Sequence, residues 1–263
     1  MSNQVQSLQD YGYFVVRQGF PKETVEKMSD RLNSITSGHY PISGRRFQVN
    51  SDSDKYEDID VTNSSYKGPN VNYRKICNLE YDEVILEKLQ SSWIRHICFT
   101  FLGETTSIMR CTMMNKPARG GSFLPWHQDV SLSWPNAVQP RLAIWIPLDE
   151  ASTASGSLQV IPSSHKHGII ANGHLLPDDL KDQYAPEKDI YTVEASVGDV
   201  LFFDCQLLHR SGINKTLNPR RAINIILMPG EVVDLKRNRP YPVLFGLNRL
   251  RPEYVKGLSK IPE

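Results

Sequence analysis

The hydrophobic pattern changes period along the chain. Tyr13-Phe14-Val15-Val16-Arg17 is aromatic and β-branched, which reads as a strand. After Pro21, apolar residues recur at Val25, Met28, Leu32 and Ile35, the spacing of one helix face, and Gly38 lies just past its end. Residues 38–72 then lose apolar periodicity and are rich in Gly, Ser, Asp and Asn. A loop of that length in a compact protein is disordered or functional, and the expectation is a lid. Helical spacing returns over 82–102, with Val84, Ile85, Leu89, Trp93 and Ile97 on one side.

From about residue 106 the pattern becomes one of short strands, expected at 107–113, 142–147, 157–161, 189–193, 199–203 and 222–228. Turn chemistry separates them: Gly120-Gly121, Trp134-Pro135-Asn136, Pro162-Ser163-Ser164 and Val197-Gly198-Asp199. Residues 171–188 read as a second surface excursion. Strands without strand-helix alternation favour a sandwich or barrel over a parallel α/β sheet. The expectation is a mainly β protein with one domain over 1–263. It divides into a strand-helix region to about 105, a β core over about 106–230 and a tail over 231–263.

Composition narrows the function classes. With 40% hydrophobic and 22% charged residues, the chain is an ordinary globular protein. A net charge of +1 with scattered basic residues gives no footprint for nucleic acid. Cys77, Cys98, Cys111 and Cys205 have no paired spacing, so reduced thiols and a cytoplasmic setting are expected rather than disulfides or a zinc site. No apolar run is long enough to cross a bilayer, and neither the polar start nor the Lys260-Ile261-Pro262-Glu263 end carries an address. The expected partner is a small-molecule substrate, with no nucleic acid and no membrane; nothing in the pattern speaks to oligomeric state.

The chemistry concentrates in two places. Trp126-His127-Gln128-Asp129 holds the one His-x-Asp of the chain, and His209 follows the expected strand at 199–203. Two residues apart on a strand, His127 and Asp129 would share a face. A second imidazole from a distant strand completes a 2-His-1-carboxylate set, which leaves open positions on a ferrous ion. Arg220, eleven residues beyond His209, is placed to hold the remote carboxylate of a chelating 2-oxo acid as a bidentate pair. These features read as an iron(II)- and 2-oxoglutarate-dependent dioxygenase. His39 and His174 lie in polar loops and read as solvated; His96 falls in a helix, and His165 and His167 in a turn.

The chain resembles the phytanoyl-CoA dioxygenase family. The resemblance rests on Trp126-His127-Gln128-Asp129, on residues 156–166, on Gly198-Asp199-Val200-Leu201-Phe202-Phe203-Asp204 and on His209 to Thr216 followed by Arg220. The opening Tyr11 to Val16 is similar too, so the likeness runs from about residue 10 to 230. It implies a double-stranded β-helix (jelly roll), with iron on His127, Asp129 and His209, and Arg220 on the C5 carboxylate of 2-oxoglutarate. It further implies that Lys75, Met109, Gln128, Trp145 and Ser211 line the co-substrate. Arg221 is an alternative to Arg220, but strand neighbours face opposite ways. The implied reaction couples oxidative decarboxylation of 2-oxoglutarate, to succinate and carbon dioxide, with oxidation of a substrate by dioxygen. Asp129 stands where related halogenases carry a small residue, which favours hydroxylation.

For substrate contact the candidate positions are Arg110, Asn115, Trp126 and the loop at 38–72, with a polar metabolite or natural-product intermediate as the expected substrate. Desaturation, cyclisation, epoxidation and epimerisation remain open from the same cofactors, as do an acyl-CoA hydroxylase and a non-catalytic binding module.

Overall fold

A computed structural model describes residues 2–40, 43–51, 53–60, 64–69, 72–134, 138–256 and 258. Pro135 and Asn136 of the expected turn therefore lie outside the described residues. The chain begins with a helix, α1 (Ser2–Tyr11), that its polar sequence did not announce. Then come β1 (Tyr13–Val16) and α2 (Lys22–Thr36), whose buried residues are the four expected ones, Val25, Met28, Leu32 and Ile35.

The expected single helix over 82–102 is two helices, α3 (Glu83–Leu89) and α4 (Ser92–Leu102). Asp82 caps the first by accepting bonds from the backbone N–H groups of Val84 and Ile85, and Ser91 starts the second. The loop at 38–72 is corrected more substantially. It contains β2 (Phe47–Val49), which pairs with β3 (Tyr73–Cys77), a strand the hydropathy pattern did not reveal. Phe47 is buried, and its ring packs against Tyr66 and Tyr73. Residues 41–42, 52, 61–63 and 70–71 of that loop lie outside the described residues.

The remaining strands are β4 (Thr106–Lys116), β5 (Leu124–His127), β6 (Leu142–Pro147), β7 (Leu158–Val160), β8 (Tyr191–Thr192), β9 (Val200–Asp204), β10 (His209–Ser211) and β11 (Arg220–Pro229), followed by β12 (Val233–Asp234), β13 (Arg239–Pro240) and β14 (Val243–Phe245). They form a main sheet in the order β1-β9-β6-β11-β4-β3-β2, with β14 also on β4, and a smaller sheet in the order β5-β10-β7-β8. The pairings are antiparallel. This is the jelly-roll architecture of the double-stranded β-helix. The N-terminal region is not only a helical layer, since it supplies β1, β2 and β3 to the main sheet, and the C-terminal tail adds β14.

The main sheet is covered on both faces, so its central strands read as unbroken apolar runs. Alternation sorts them. Leu142, Ile144, Ile146, Val200, Phe202, Ile223, Ile225 and Leu227 join the core shared with the helices. Ala143, Trp145, Leu201, Phe203, Ala222 and Ile226 face the smaller sheet. The space between the two sheets holds the site.

Candidate metal centre and its cavity

His127 ends β5 and pairs directly with His209, the first residue of β10. The two imidazole centroids lie 4.0 Å apart. Each ring is oriented by its own strand: His127 Nδ1 donates to the carbonyl of Pro125 at 2.8 Å and His209 Nδ1 to that of Leu207 at 2.9 Å. A carbonyl only accepts, so both Nδ1 atoms carry the proton and both Nε2 lone pairs are free to bind a metal. Burial pushes both imidazoles below their ordinary pKa, which keeps them neutral, the form a ligand needs.

Asp129 lies two residues beyond the end of β5. Its backbone N–H bonds to the Cys205 carbonyl at 2.8 Å, which holds it beside β9. One ligand atom from each of His127, Asp129 and His209 falls within 4.8 Å of the others. Burial opposes ionisation of Asp129, but Arg110 and the two histidines outweigh it and hold the carboxyl below its usual range. Oδ1 accepts an ion-paired hydrogen bond from Arg110, whereas Oδ2, buried and 3.6 Å from His209 Nε2, has no hydrogen-bond partner. A buried carboxylate oxygen without a donor is costly unless a cation meets it. Two free imidazole nitrogens and this oxygen are the donor set that suits iron(II).

The ligands open into a cavity of about 150 Å³ between the sheets. Across it, β4 presents Arg110, Thr112, Met114 and Lys116 at alternate positions. Arg220 pairs in register with Lys116 and also lines the cavity. Its Nη2 donates to the Gly156 carbonyl at 2.7 Å, while Nε is buried without a partner. Gly156 has φ +72° and sits so close to the Gly212 carbonyl that a Cβ would fall 2.4 Å from it, so only glycine fits. Burial draws the Arg220 guanidinium down to about 10, still cationic at neutral pH. Arg221 faces away and forms a two-pronged pair with Asp149.

Among the other expected co-substrate residues, Lys75, Trp145 and Ser211 line the cavity, with the Arg220 guanidinium 5.8 Å from the Trp145 ring centre. Burial, with Arg110 next in weight, depresses Lys75 to about 8. Gln128 does not line the cavity. It faces opposite to His127 and Asp129, where its amide donates to the Gly168 and Gln206 carbonyls and accepts from the Ile170 N–H. Met109 does not line it either; it packs against the cluster containing Ala143 and Trp145 and borders a separate cleft near Tyr81 and Pro242. Trp126, on the same outward face as Gln128, is packed with Ile161, Leu176 and Leu208 beneath Arg210. Arg110 and Asn115 both border the cavity, though the Asn115 amide donates to the Tyr73 carbonyl and ties β4 to β3.

Sequence reasoning missed Arg74, Lys116, Asn224 and His174, all of which line the cavity, as does Tyr56 from the expected loop at 38–72. His174 is half-buried rather than solvated, 5.0 Å from the His127 ring and bonded through Nδ1 to the Gln128 carbonyl. The polar positions of β4 at spacing two were the signal available for Lys116. Nothing local marked His174, because a bridge between His127 and Leu175 brings that segment in.

Fold, donor set and cavity together define an iron(II)- and 2-oxoglutarate-dependent dioxygenase. The profile of the family described as Phytanoyl-CoA dioxygenase (PhyH) matches residues 8–222, and the chain belongs to that family. A probable phytanoyl-CoA dioxygenase of Caenorhabditis elegans is 24% identical over 232 residues, 81% of this chain and 70% of that one. A probable alpha-ketoglutarate-dependent hypophosphite dioxygenase of Stutzerimonas stutzeri is 26% identical over 230 residues, 82% and 74% of the two chains. Among solved structures, the carbocyclase SnoK from nogalamycin biosynthesis superposes with TM-score 0.69 at 16% identity, covering 94% of each chain. EctD from S. alaskensis with bound Fe gives 0.65 at 18% identity over 87% of this chain and 76% of that one. At such identities the two structures speak to the fold. Among the described residues no helix is long and apolar enough to cross a membrane.

Proposed function

We propose that the chain hydroxylates a small-molecule substrate, with His127, Asp129 and His209 holding iron(II) and Arg220 holding the C5 carboxylate of 2-oxoglutarate. The observation that carries this reading is the pairing, in one cavity, of three convergent metal-binding atoms with a buried guanidinium whose Nε lacks a partner. When bound there, iron(II) and 2-oxoglutarate supply dioxygen activation: R–H, O2 and 2-oxoglutarate give R–OH, succinate and CO2.

The chain's own residues bind, orient and shield. The Pro125 and Leu207 carbonyls fix the two ring tautomers, and the Gly156 carbonyl aims Arg220. Ser211 and Lys75 add donors for the co-substrate, and Trp145 and Phe203 keep water off its apolar stem. Asp129 supplies the ligand whose loss would open a halide position, which supports oxygen transfer.

The test is iron-dependent formation of succinate from 2-oxoglutarate, followed by a metabolite-library screen for compounds that stimulate it and gain one oxygen atom. Absence of iron-dependent succinate with every library member would overturn the reading. Product lacking the added oxygen would move it to desaturation, cyclisation or epimerisation.

A further inference from the structure

The cavity is far more basic than the chain. Arg74, Lys75, Arg110, Lys116 and Arg220 line it, and Asp129 is the sole carboxylate among its described lining residues, in a protein whose net charge is +1. Uncompensated charge in a desolvated cavity is expensive, so the excess calls for anions.

On the reading of the site given above, part of that excess has a partner. The two carboxylates of 2-oxoglutarate balance Arg220 and Lys75. Iron(II) and Asp129 leave one positive charge. Lys116 donates to the Ser122 carbonyl at 2.7 Å, and burial followed by Arg220 drives its pKa well down, so it adds little charge. Arg74 and Arg110 remain. Arg74 is buried; its Nη1 donates to Gln48 Oε1 at 2.6 Å and its guanidinium lies 5.4 Å from the Tyr56 ring centre, both neutral partners. Among the described residues Arg110 pairs with Asp129, through Nη2, and Asp129 is shared with the metal site. Both guanidiniums thus keep N–H donors for a further anion, on the wall facing the smaller sheet and its histidines.

We propose that the substrate is itself an anion, a small molecule whose carboxylate or phosphonate group is held by Arg110 and Arg74. The inference rests on the iron(II)/2-oxoglutarate reading of the site. Because Arg110 touches the carboxylate that completes the donor set, the acid group docks next to that set. The C–H bond oxidised then lies within a few bonds of the acid group, which makes the product a hydroxy acid or its phosphonate counterpart. Forked donors on rigid strands suit such planar or tetrahedral oxyanions better than a flexible ammonium does.

The experiment titrates the protein, loaded with iron(II) and saturated with 2-oxoglutarate under anaerobic conditions, with benzoate, methylphosphonate and benzamide, following binding by calorimetry. Benzoate or methylphosphonate, whichever marks the true acid class, binds at least about thirty-fold more tightly than benzamide, the loss expected when a buried charge pair lacks one partner. Arg110→Gln and Arg74→Gln each abolish that preference, and Arg110→Lys restores part of it. Wild-type protein that binds neither benzoate nor methylphosphonate more tightly than benzamide, a contrast that needs no variant, overturns the proposal. So does an oxyanion preference that survives both substitutions. Loss of iron-dependent succinate formation with oxyanion binding intact would instead sink the oxygenase reading alone.

Discussion

The two walls of the cavity solve different problems with different lengths of strand. The smaller sheet contributes metal-binding groups from short strands of three or four residues, β5 and β10. Their side chains are neutral or anionic, and each is fixed by a backbone contact: the two imidazoles within their own segments, Pro125 to His127 and Leu207 to His209, and the Asp129 backbone N–H on the Cys205 carbonyl beside β9. The main sheet contributes cations from strands of ten and eleven residues, β11 and β4, whose regular alternation sets Arg110, Lys116 and Arg220 facing the same space. Metal binding needs atoms within a few tenths of an ångström and so uses local hydrogen bonds. Anion recognition tolerates longer, jointed side chains and so uses the pleat of a long, rigid strand.

The sharpest way to break this contrast is at the short strands. His127→Ala, Asp129→Ala and His209→Ala should each abolish iron-dependent succinate formation while leaving the folded structure intact, because two remaining ligands hold iron weakly. Titration with iron(II) followed by circular dichroism checks both halves. Full turnover in any of the three at matched iron content would remove that residue from the metal site.

On the long strands the expected effects are large but graded. Arg220→Ala should raise the apparent KM for 2-oxoglutarate by at least about thirty-fold, since truncating a buried charge pair costs about 2–5 kcal/mol. Arg221→Ala, which loses the partly buried pair with Asp149 and a hydrogen bond to Asn33, both away from the cavity, should leave that KM nearly unchanged. Equal KM values for the two variants would contradict the facing that β11 gives them.

Lys75 turns the comparison into a pH profile. Its folded pKa of about 8 is depressed, so it is cationic below pH 8 and loses its charge as pH rises through that value. If it helps hold the co-substrate, kcat/KM for 2-oxoglutarate should decline above about pH 8, and Lys75→Met should lower the plateau and remove that decline. A wild-type profile that is flat between about pH 7 and about pH 9, one unit either side of this pKa, would detach Lys75 from the co-substrate. The stability sign is opposite: an unfolded Lys binds its proton more tightly, so this residue's contribution to stability grows as pH rises above 8.

How much could be read beforehand follows the same division. The elements α2, β4 and β11 were legible from their length and apolar spacing, and β6 from its unbroken apolar run. So was the His-x-Asp…His…Arg order, because its chemistry is rare. The facing of the main-sheet strands was not: in Leu142–Pro147 every residue is buried, and periodicity vanishes when both faces are covered. Gln128 and Trp126 were assigned by position along the chain, yet alternation about His127 sends them out of the cavity. Phe47 hid β2 because a lone buried aromatic in a polar stretch makes no pattern.

That polar stretch yields the smallest expected effect. It is not a free lid: β2 is built into the main sheet, and Asn50, Ser51 and Asp54 lie against the Gly120–Ser122 turn. Asp54 is the main tie, with Oδ1 accepting from the Gly121 N–H at 2.8 Å and its carbonyl accepting from the Phe123 N–H at 2.9 Å. Tyr56 follows and lines the cavity, so the tie sets how well that side is closed to water. Asp54 has φ +57°, which glycine adopts without strain, so Asp54→Gly removes the side-chain acceptor and keeps the backbone shape. One such bond is worth about 1 kcal/mol, roughly a five-fold shift in a local opening equilibrium. The variant should consume more 2-oxoglutarate per product by about two-fold, with faster amide exchange over 50–58 and unaltered iron binding. An unchanged ratio of succinate to product, despite faster exchange, would mean that this segment covers the cavity without guarding the reaction.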